Sequence, residues 1–123
     1  MGRPTRTGGR GATRLHAPST SLDGMLVAFS ISPTSSDPTG SVTEAVAAAV
    51  RVVRQSGLPH ETNAMFTNIE GEWDEVMAVV KQAVEVVAAV SPRVGLVLKA
   101  DIRPGYEGQL TAKVDRINDA LAD

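Results

Sequence analysis

Hydrogen-bonding side chains are concentrated between residues 61 and 73, in sequence that is otherwise typical of β-strands. Asparagine is depleted in strands, so Asn63 and Asn68 each indicate either a turn or a contact with a ligand. The turn is the more ordinary interpretation, above all for Asn68. Glu70 is ordinarily an acid that precedes a helix, and Trp73 is ordinarily a core or lid residue. This segment holds the first candidates for a polar binding site.

A second polar group consists of Lys99, Asp101 and Arg103, which alternate with other residues near the end of an apolar segment. Alternation along a strand places all three side chains on one face of a sheet. The ordinary interpretation is an ion pair or a solvated edge, which contributes little to stability. If that face were an interface, the same charges would line a partly buried polar pocket between subunits.

Catalytic and metal-binding arrangements have little support in the sequence. The chain has no Cys and two His. His16 lies in an irregular leader and His60 beside a proline turn, so we expect no histidine metal cluster. The glycines of residues 8–11 neither follow a strand nor open a helix, which argues against a phosphate-binding loop. The net charge of −2 gives no general support for binding nucleic acid. We therefore expect a protein that is not an enzyme.

The first 24 residues differ in composition from the rest of the chain. Residues 1–24 are predicted to be a disordered Gly/Arg-rich leader, and residues 25–123 a single folded domain. The leader has four Arg against Asp23, a local charge of +3, so a chain of net charge −2 leaves −5 on the folded part. The sequence has no apolar stretch that would suit a signal peptide or a membrane span, which predicts a cytoplasmic location.

Local signals predict the elements in the first half of the domain. Residues 25–33 are a first strand, stopped by a proline that cannot donate to a ladder. Ser41 and Glu44 have the spacing of a capping box at the start of the first helix. Gly57 is expected to end that helix in a left-handed conformation, and Pro59 prevents its resumption.

The second half continues the pattern. Residues 60–72 are predicted to be two strands that meet around residues 64–67 as a hairpin. A second helix opens at a cluster of acids, where the helix dipole favours negative charge, and its buried stripe is expected to include Trp73. Residues 94–102 are a final strand. A short carboxy-terminal helix follows, with one apolar stripe at Leu110, Val114, Ile117 and Leu121.

This order predicts an α+β fold of the ferredoxin-like βαββαβ type, with a short carboxy-terminal helix added. Right-handed crossovers place both long helices on one face of a four-stranded antiparallel sheet. The strands at residues 26–31 and 94–102 are apolar on at least one face and often on both, and an apolar face exposed to water favours a partner. We therefore expect homodimers that form through the open face of the sheet.

Three sequence motifs together resemble the small thiamine-binding protein family. They are Ser41-Val42-Thr43-Glu44, Ser56-Gly57-Leu58-Pro59, and the more specific run Thr62 to Met77, which contains Thr-Asn-Ile-Glu-Gly-Glu-Trp-Asp-Glu-Val-Met. The resemblance covers residues 25–121. It implies a ferredoxin-like protein, dimeric and commonly tetrameric, that binds thiamine or its hydroxymethylpyrimidine half without catalysis.

By the same resemblance, the ligand site involves the strand pair around residues 63–70. The aminopyrimidine offers a donor amine and acceptor ring nitrogens, which amide and hydroxyl side chains can match, while apolar side chains pack on the ring. A carboxylate would offset the cationic thiazolium. No other cofactor, nucleic acid or membrane partner is expected. The predicted ligand-binding residues are Ser30, Asn63, Met65, Phe66, Thr67, Glu70 and Asp101.

Two other functions remain open at this point. Dimeric ferredoxin-like proteins include cofactor-independent oxygenases and isomerases, a function that would need an enclosed pocket with an acid or His60. A ligand-free assembly module would instead show an interface filled completely by side chains.

Overall fold

A computed structural model describes residues 22–34 and 42–122 of the chain. The predicted leader therefore lies almost entirely outside the described residues, as does Ser41 of the predicted capping box. In chain order the elements are β1 (Met25–Pro33), α1 (Thr43–Gln55), β2 (His60–Thr62), β3 (Thr67–Gly71), α2 (Trp73–Ala88), β4 (Val94–Ile102) and α3 (Gln109–Leu121).

The four strands form one antiparallel sheet in the order β2-β3-β1-β4. β1 lies between β3 and β4, so both helical connections cross over a neighbouring strand. Val27 lies opposite Ile69 of β3 and Ala100 of β4, which fixes the register of the three longer strands. This is the predicted α+β ferredoxin-like arrangement, confirmed in element order and topology.

The core lies between one face of the sheet and the two long helices. Met25, Val27 and Phe29 alternate along β1 and are buried on that face. α1 adds Ala49, Val52 and Val53, and α2 adds valines and alanine at helical spacing. Fully burying one of the larger side chains, such as a valine, contributes about 1.5–3 kcal/mol, so the apolar periodicity of the sequence accounts for the packing of these layers.

The helix ends follow local sequence rules with one shift. α1 begins at Thr43, with Val42 at the N-cap position and no side-chain cap hydrogen bond there. At its other end Gly57 has φ +79°, the left-handed conformation predicted for it. α2 is capped by the Glu72 side chain, which accepts from the backbone amides of Asp74 and Glu75.

Two predictions about single residues are wrong. Trp73 is the first residue of α2 and is 38% exposed, so the buried stripe begins one turn later at Val76. Trp73 was assigned to the buried stripe because of its apolar character alone. As the first residue of α2, it precedes the turn of the helix that packs on the sheet. Asn68 lies inside β3, opposite Ala28, rather than in a turn.

The second face of the sheet is only partly covered, and α3 is the element that lies on it. Glu70 of β3 and Asp101 of β4 are both opposite Leu26, on the face away from the core, and both contact α3. No residue of α3 is buried. Among the described residues, no helix is both long enough and apolar enough to cross a membrane.

Candidate functional site

A gap in the sheet opens where β1 is longer than its neighbour. β1 pairs with β3 only as far as Phe29, which lies opposite Thr67. Residues 30–33 of β1 continue in the ladder with β4 alone. A strand offers hydrogen-bonding groups to both sides, so the edge of residues 30–33 that would meet β3 faces a gap. This gap is the start of the candidate site.

The β2–β3 turn, residues 63–66, forms the outer wall of the gap. The Asn63 side chain organises it, because its Oδ1 accepts from the backbone amides of Met65 and Phe66, each at 2.9 Å. The Asn63 amide also donates to the Phe66 carbonyl at 2.9 Å. Asn63 therefore stabilises the turn, because its side chain accepts hydrogen bonds from nearby backbone amides, as asparagine commonly does in turns. Among the described residues the Asn63 Nδ2 has no hydrogen-bond partner, which leaves that donor for a ligand.

Helix α1 closes the gap from the core side and makes it a pocket of about 370 Å³. That volume lies within the range of small-molecule sites, about 300–1,000 Å³. Five of the seven predicted ligand residues line it together: Ser30, Asn63, Met65, Phe66 and Thr67.

The pocket is apolar with a few uncharged polar groups. Thr67 is buried, and its hydroxyl lies 3.1 Å from that of Thr62. Among the lining residues none carries a formal charge. Met65 is exposed at the mouth, where an unbranched side chain can adapt to a bound surface. The arrangement suits a flat, neutral ring with hydrogen-bonding edges better than a buried ion, since burying an unpaired charge is costly.

The two predicted carboxylates lie elsewhere. Glu70 is 5% exposed, and its two oxygens accept from the backbone amides of Gln109 and Leu110, each at 3.0 Å. It sits four residues along the sheet from Ser30, about 13 Å at strand spacing. Its position caps the amino terminus of α3, a favourable place for negative charge.

Asp101 also serves α3. Its Oδ2 accepts a hydrogen bond from Lys113 Nζ at 2.6 Å, and both side chains are about half exposed. The hydrogen bond and the positive charge of Lys113 lower the pKa of Asp101 below its ordinary value of 3.8. The ion pair expected for this strand therefore exists, with α3 as the source of the cation.

The other chemically distinctive residues have local roles. Arg103 follows the end of β4, and its guanidinium lies 3.6 Å from the ring centroid of Tyr106. His60, the residue needed by the enzymatic alternative, has Nδ1 2.8 Å from the Leu58 carbonyl oxygen and does not line the pocket.

Sequence reasoning missed the apolar part of the pocket. Phe29, Ile31 and Ser32 belong to the strand that outlasts its neighbour, a difference that appears only once the strand pairing is known. The helix residues were hidden among other apolar positions of the same stripe. The missed lining residues are Phe29, Ile31, Ser32, Val46, Ala49, Val50, Thr62 and Ala64.

Comparison with known proteins agrees with the fold. The family model described as thiamine-binding protein matches residues 27–118. A UPF0045 protein of Mycobacterium bovis is 56% identical over 91 residues, which cover 73% of this chain and 87% of that protein.

Solved structures also agree with the fold. A domain of unknown function from Bacillus cereus is 31% identical with a TM-score of 0.70, covering 85% of this chain and 98% of that one. A candidate thiamine biosynthesis/salvage protein of Thermotoga maritima is 22% identical with a TM-score of 0.62, covering 75% and 98%. At that identity the second likeness concerns the fold alone.

Proposed function

The chain belongs to the thiamine-binding protein family, and we propose that it binds thiamine or its hydroxymethylpyrimidine half in the pocket between β1, α1 and the β2–β3 turn. The observation that carries the proposal is the pocket itself: the gap beside β1 brings five residues predicted as ligand contacts into one cavity of about 370 Å³. We propose binding without catalysis, in the role of a carrier, buffer or sensor.

The uncharged lining favours the pyrimidine as the buried half. The aminopyrimidine is neutral, whereas the thiazolium is a fixed cation that would lack a carboxylate among the lining residues. Glu70 is occupied by two amides of α3, and Asp101 by Lys113. We therefore propose that the ring of the pyrimidine enters the pocket and that the thiazolium remains at the mouth, near the exposed Met65.

The edge of β1 supplies hydrogen-bonding groups that fit the pyrimidine. Residues 30–33 lie opposite no residue of β3, and Ser30, Ile31 and Ser32 of this stretch line the pocket. A donor amine beside an acceptor ring nitrogen is complementary to the amide and carbonyl of a strand edge, as in recognition by strand addition. The Asn63 Nδ2 and the Thr67 hydroxyl add side-chain contacts from the opposite wall.

We propose further that the protein is a homo-oligomer that associates through the open face of its sheet and forms a tetramer. That face carries the apolar side chain of Val97, which is 58% exposed. Ser30 and Ser32 belong to the same face by alternation and also line the pocket.

The test is the thermal stability of the purified chain with thiamine, its phosphates and hydroxymethylpyrimidine. A ligand that binds only the folded state raises the melting temperature with concentration. We expect a rise with hydroxymethylpyrimidine that is comparable to the rise with thiamine, because the thiazolium stays outside the pocket. Calorimetry on the same samples gives the dissociation constants.

Two variants locate the site. Asn63→Asp keeps the oxygen that organises the turn but removes the Nδ2 donor, so it should weaken binding while the unliganded melting temperature stays near that of the wild type. Met65→Ala removes an apolar contact at the mouth, and Val90→Ala is its matched control because both side chains are 73% exposed. If none of these ligands raises the melting temperature or produces heat, the proposed function is wrong.

A further inference from the structure

A shallow groove along the outer side of helix α1 continues the candidate site. Its volume is about 550 Å³, and its lining includes the half-buried Val46 and Val50. The same two valines line the pocket beside β1. The two cavities therefore meet along one face of α1. Arg51 and Arg54 also line the groove and bring positive charge to it, whereas the pocket lining is uncharged.

The two arginines are neighbours on the helix surface and have no anionic partner. They lie three positions apart, which places their Cβ atoms about 5–6 Å from each other, and both side chains are exposed. Among the described residues, the ion pair is that of Lys113 with Asp101, so neither arginine is paired with a carboxylate. Glu44, the acid of the first turn of α1, lies about 10 Å along the helix axis from Arg51. Two guanidinium groups are therefore available to an anion from outside the chain.

The helix dipole does not account for this pair. A cation in the last turn of a helix commonly offsets the negative end of the dipole, and Arg54 has that position. Arg51 lies a turn earlier, and neither α2 nor α3 has a basic residue in its last turn. The end of the dipole carries about half a negative charge, so two full positive charges leave a net attraction for an anion.

We propose that Arg51 and Arg54 form a subsite for the phosphate of thiamine monophosphate, whose pyrimidine occupies the pocket. This subsite rests on the proposed function, because it holds the remaining part of the same ligand. With the pyrimidine inside, the thiazolium and its hydroxyethyl arm leave through the mouth. Val46 and Val50 provide an apolar surface that leads from the pocket to the groove.

The spacing along α1 agrees with the shape of this ligand. Arg51 follows Val50 directly, and Arg54 lies four residues beyond it, about 6 Å along the helix axis. In thiamine monophosphate the thiazolium ring and a two-carbon arm separate the phosphate from the pyrimidine. The phosphate therefore leaves the pocket at the end of the ligand that can follow the helix. Guanidinium groups bind phosphate oxygens through paired, charge-assisted hydrogen bonds.

Charge distinguishes this subsite from the rest of the domain. Residues 25–123 carry a net charge of −5, which repels anions at long range. The Debye length at physiological ionic strength is about 8 Å, so distant carboxylates are screened while direct contacts with the two arginines persist. A phosphate monoester carries about −1.5 to −2 at pH 7, a charge that two arginines balance.

Calorimetry of the full-length chain with thiamine and with thiamine monophosphate tests the subsite. At physiological ionic strength we expect the monophosphate to bind about tenfold more tightly than thiamine, as two exposed ion pairs together allow. Arg51→Gln and Arg54→Gln should each reduce that preference by about threefold without weakening the binding of thiamine. Lys81→Gln removes an exposed cation from α2 instead and, as the matched control, should leave the preference unchanged.

The same titrations separate failure of the subsite from failure of the proposed function. Equal affinities of the wild type for thiamine and its monophosphate would overturn the subsite, and so would a preference that both arginine variants retain in full. In either case the measured binding of thiamine leaves the proposed function standing. If neither ligand nor hydroxymethylpyrimidine binds, the proposed function is wrong and the subsite falls with it.

Discussion

Replacing Glu70 with Gln separates the structural role of this carboxylate from the ligand role that its sequence position predicts. The wild-type side chain is 5% exposed and accepts two amides of α3 at 3.0 Å each. Gln keeps one oxygen and turns an NH2 group toward the other amide. A hydrogen bond to a charged group contributes about 1.5–3 kcal/mol, and a lost helix cap costs about 0.5–2 kcal/mol. We expect Glu70→Gln to cost about 2 kcal/mol.

That loss should fall on α3 rather than on the whole fold. No residue of α3 is buried, so little else holds the helix to the sheet. A cost of about 2 kcal/mol corresponds to roughly a 30-fold rise in local opening. In native-state hydrogen exchange, the amides of residues 112–121 should exchange about 30-fold faster, while those of core residues such as Val27 and Val53 keep their rates.

The control is the same substitution two residues away. The Glu72 side chain caps α2 by accepting from the amides of Asp74 and Glu75. Glu72→Gln should therefore loosen the first turn of α2 and leave α3 unchanged. If Glu70→Gln leaves exchange in α3 unchanged but abolishes the thermal shift with thiamine, the reasoning is refuted and Glu70 is a ligand residue.

Two further predictions concern the residue that precedes β1, Gly24, and a residue near the end of β4, Asp101. Gly24→Ala should destabilise the protein by about 1–3 kcal/mol or more in urea unfolding, because its Cβ would lie 1.8 Å from the Arg103 carbonyl oxygen; Gly95→Ala, with 3.6 Å of clearance, is the control. Lys113 lowers the pKa of Asp101, so its stabilising contribution is present above pH 3.8 and is lost as pH falls through the lower folded-state pKa. Hydrogen exchange in α3 should accordingly differ between wild type and Asp101→Asn at pH 7 and converge once the pH is below the folded-state pKa of Asp101; a difference that persists in acid would exclude the ion pair as its source.

Elements defined by local rules were predicted well. The limits of β1 and β4 agree with the sequence prediction, and Gly57 ends its helix as expected, because strand propensity, proline and glycine act within a few residues. Trp73 shows where this reasoning fails. Its apolar character is a local property, but whether a helix-end residue reaches the core depends on where the sheet ends.

In the candidate site, too, residues close in sequence were predicted together, whereas contacts with distant residues were not. Asn63, Met65, Phe66 and Thr67 are close in sequence, so a hairpin prediction brings them together. Glu70 belongs to the same segment, yet its partners are the amides of Gln109 and Leu110, 39 and 40 residues away. Residue type identified a carboxylate that needs a partner, and only the position of α3 decided which partner it has.

The sequence by itself determined the order of the elements, the ferredoxin-like topology, the apolar stripes and the resemblance to thiamine-binding proteins, since these follow from periodicity, turn chemistry and motif. Tertiary structure alone decided the gap beside residues 30–33, because strand pairing has to be known before one strand can be seen to outlast another. It also decided that the carboxylates of Glu70 and Asp101 hold α3, because long-range contacts depend on the register of the sheet and the direction in which the chain returns to it.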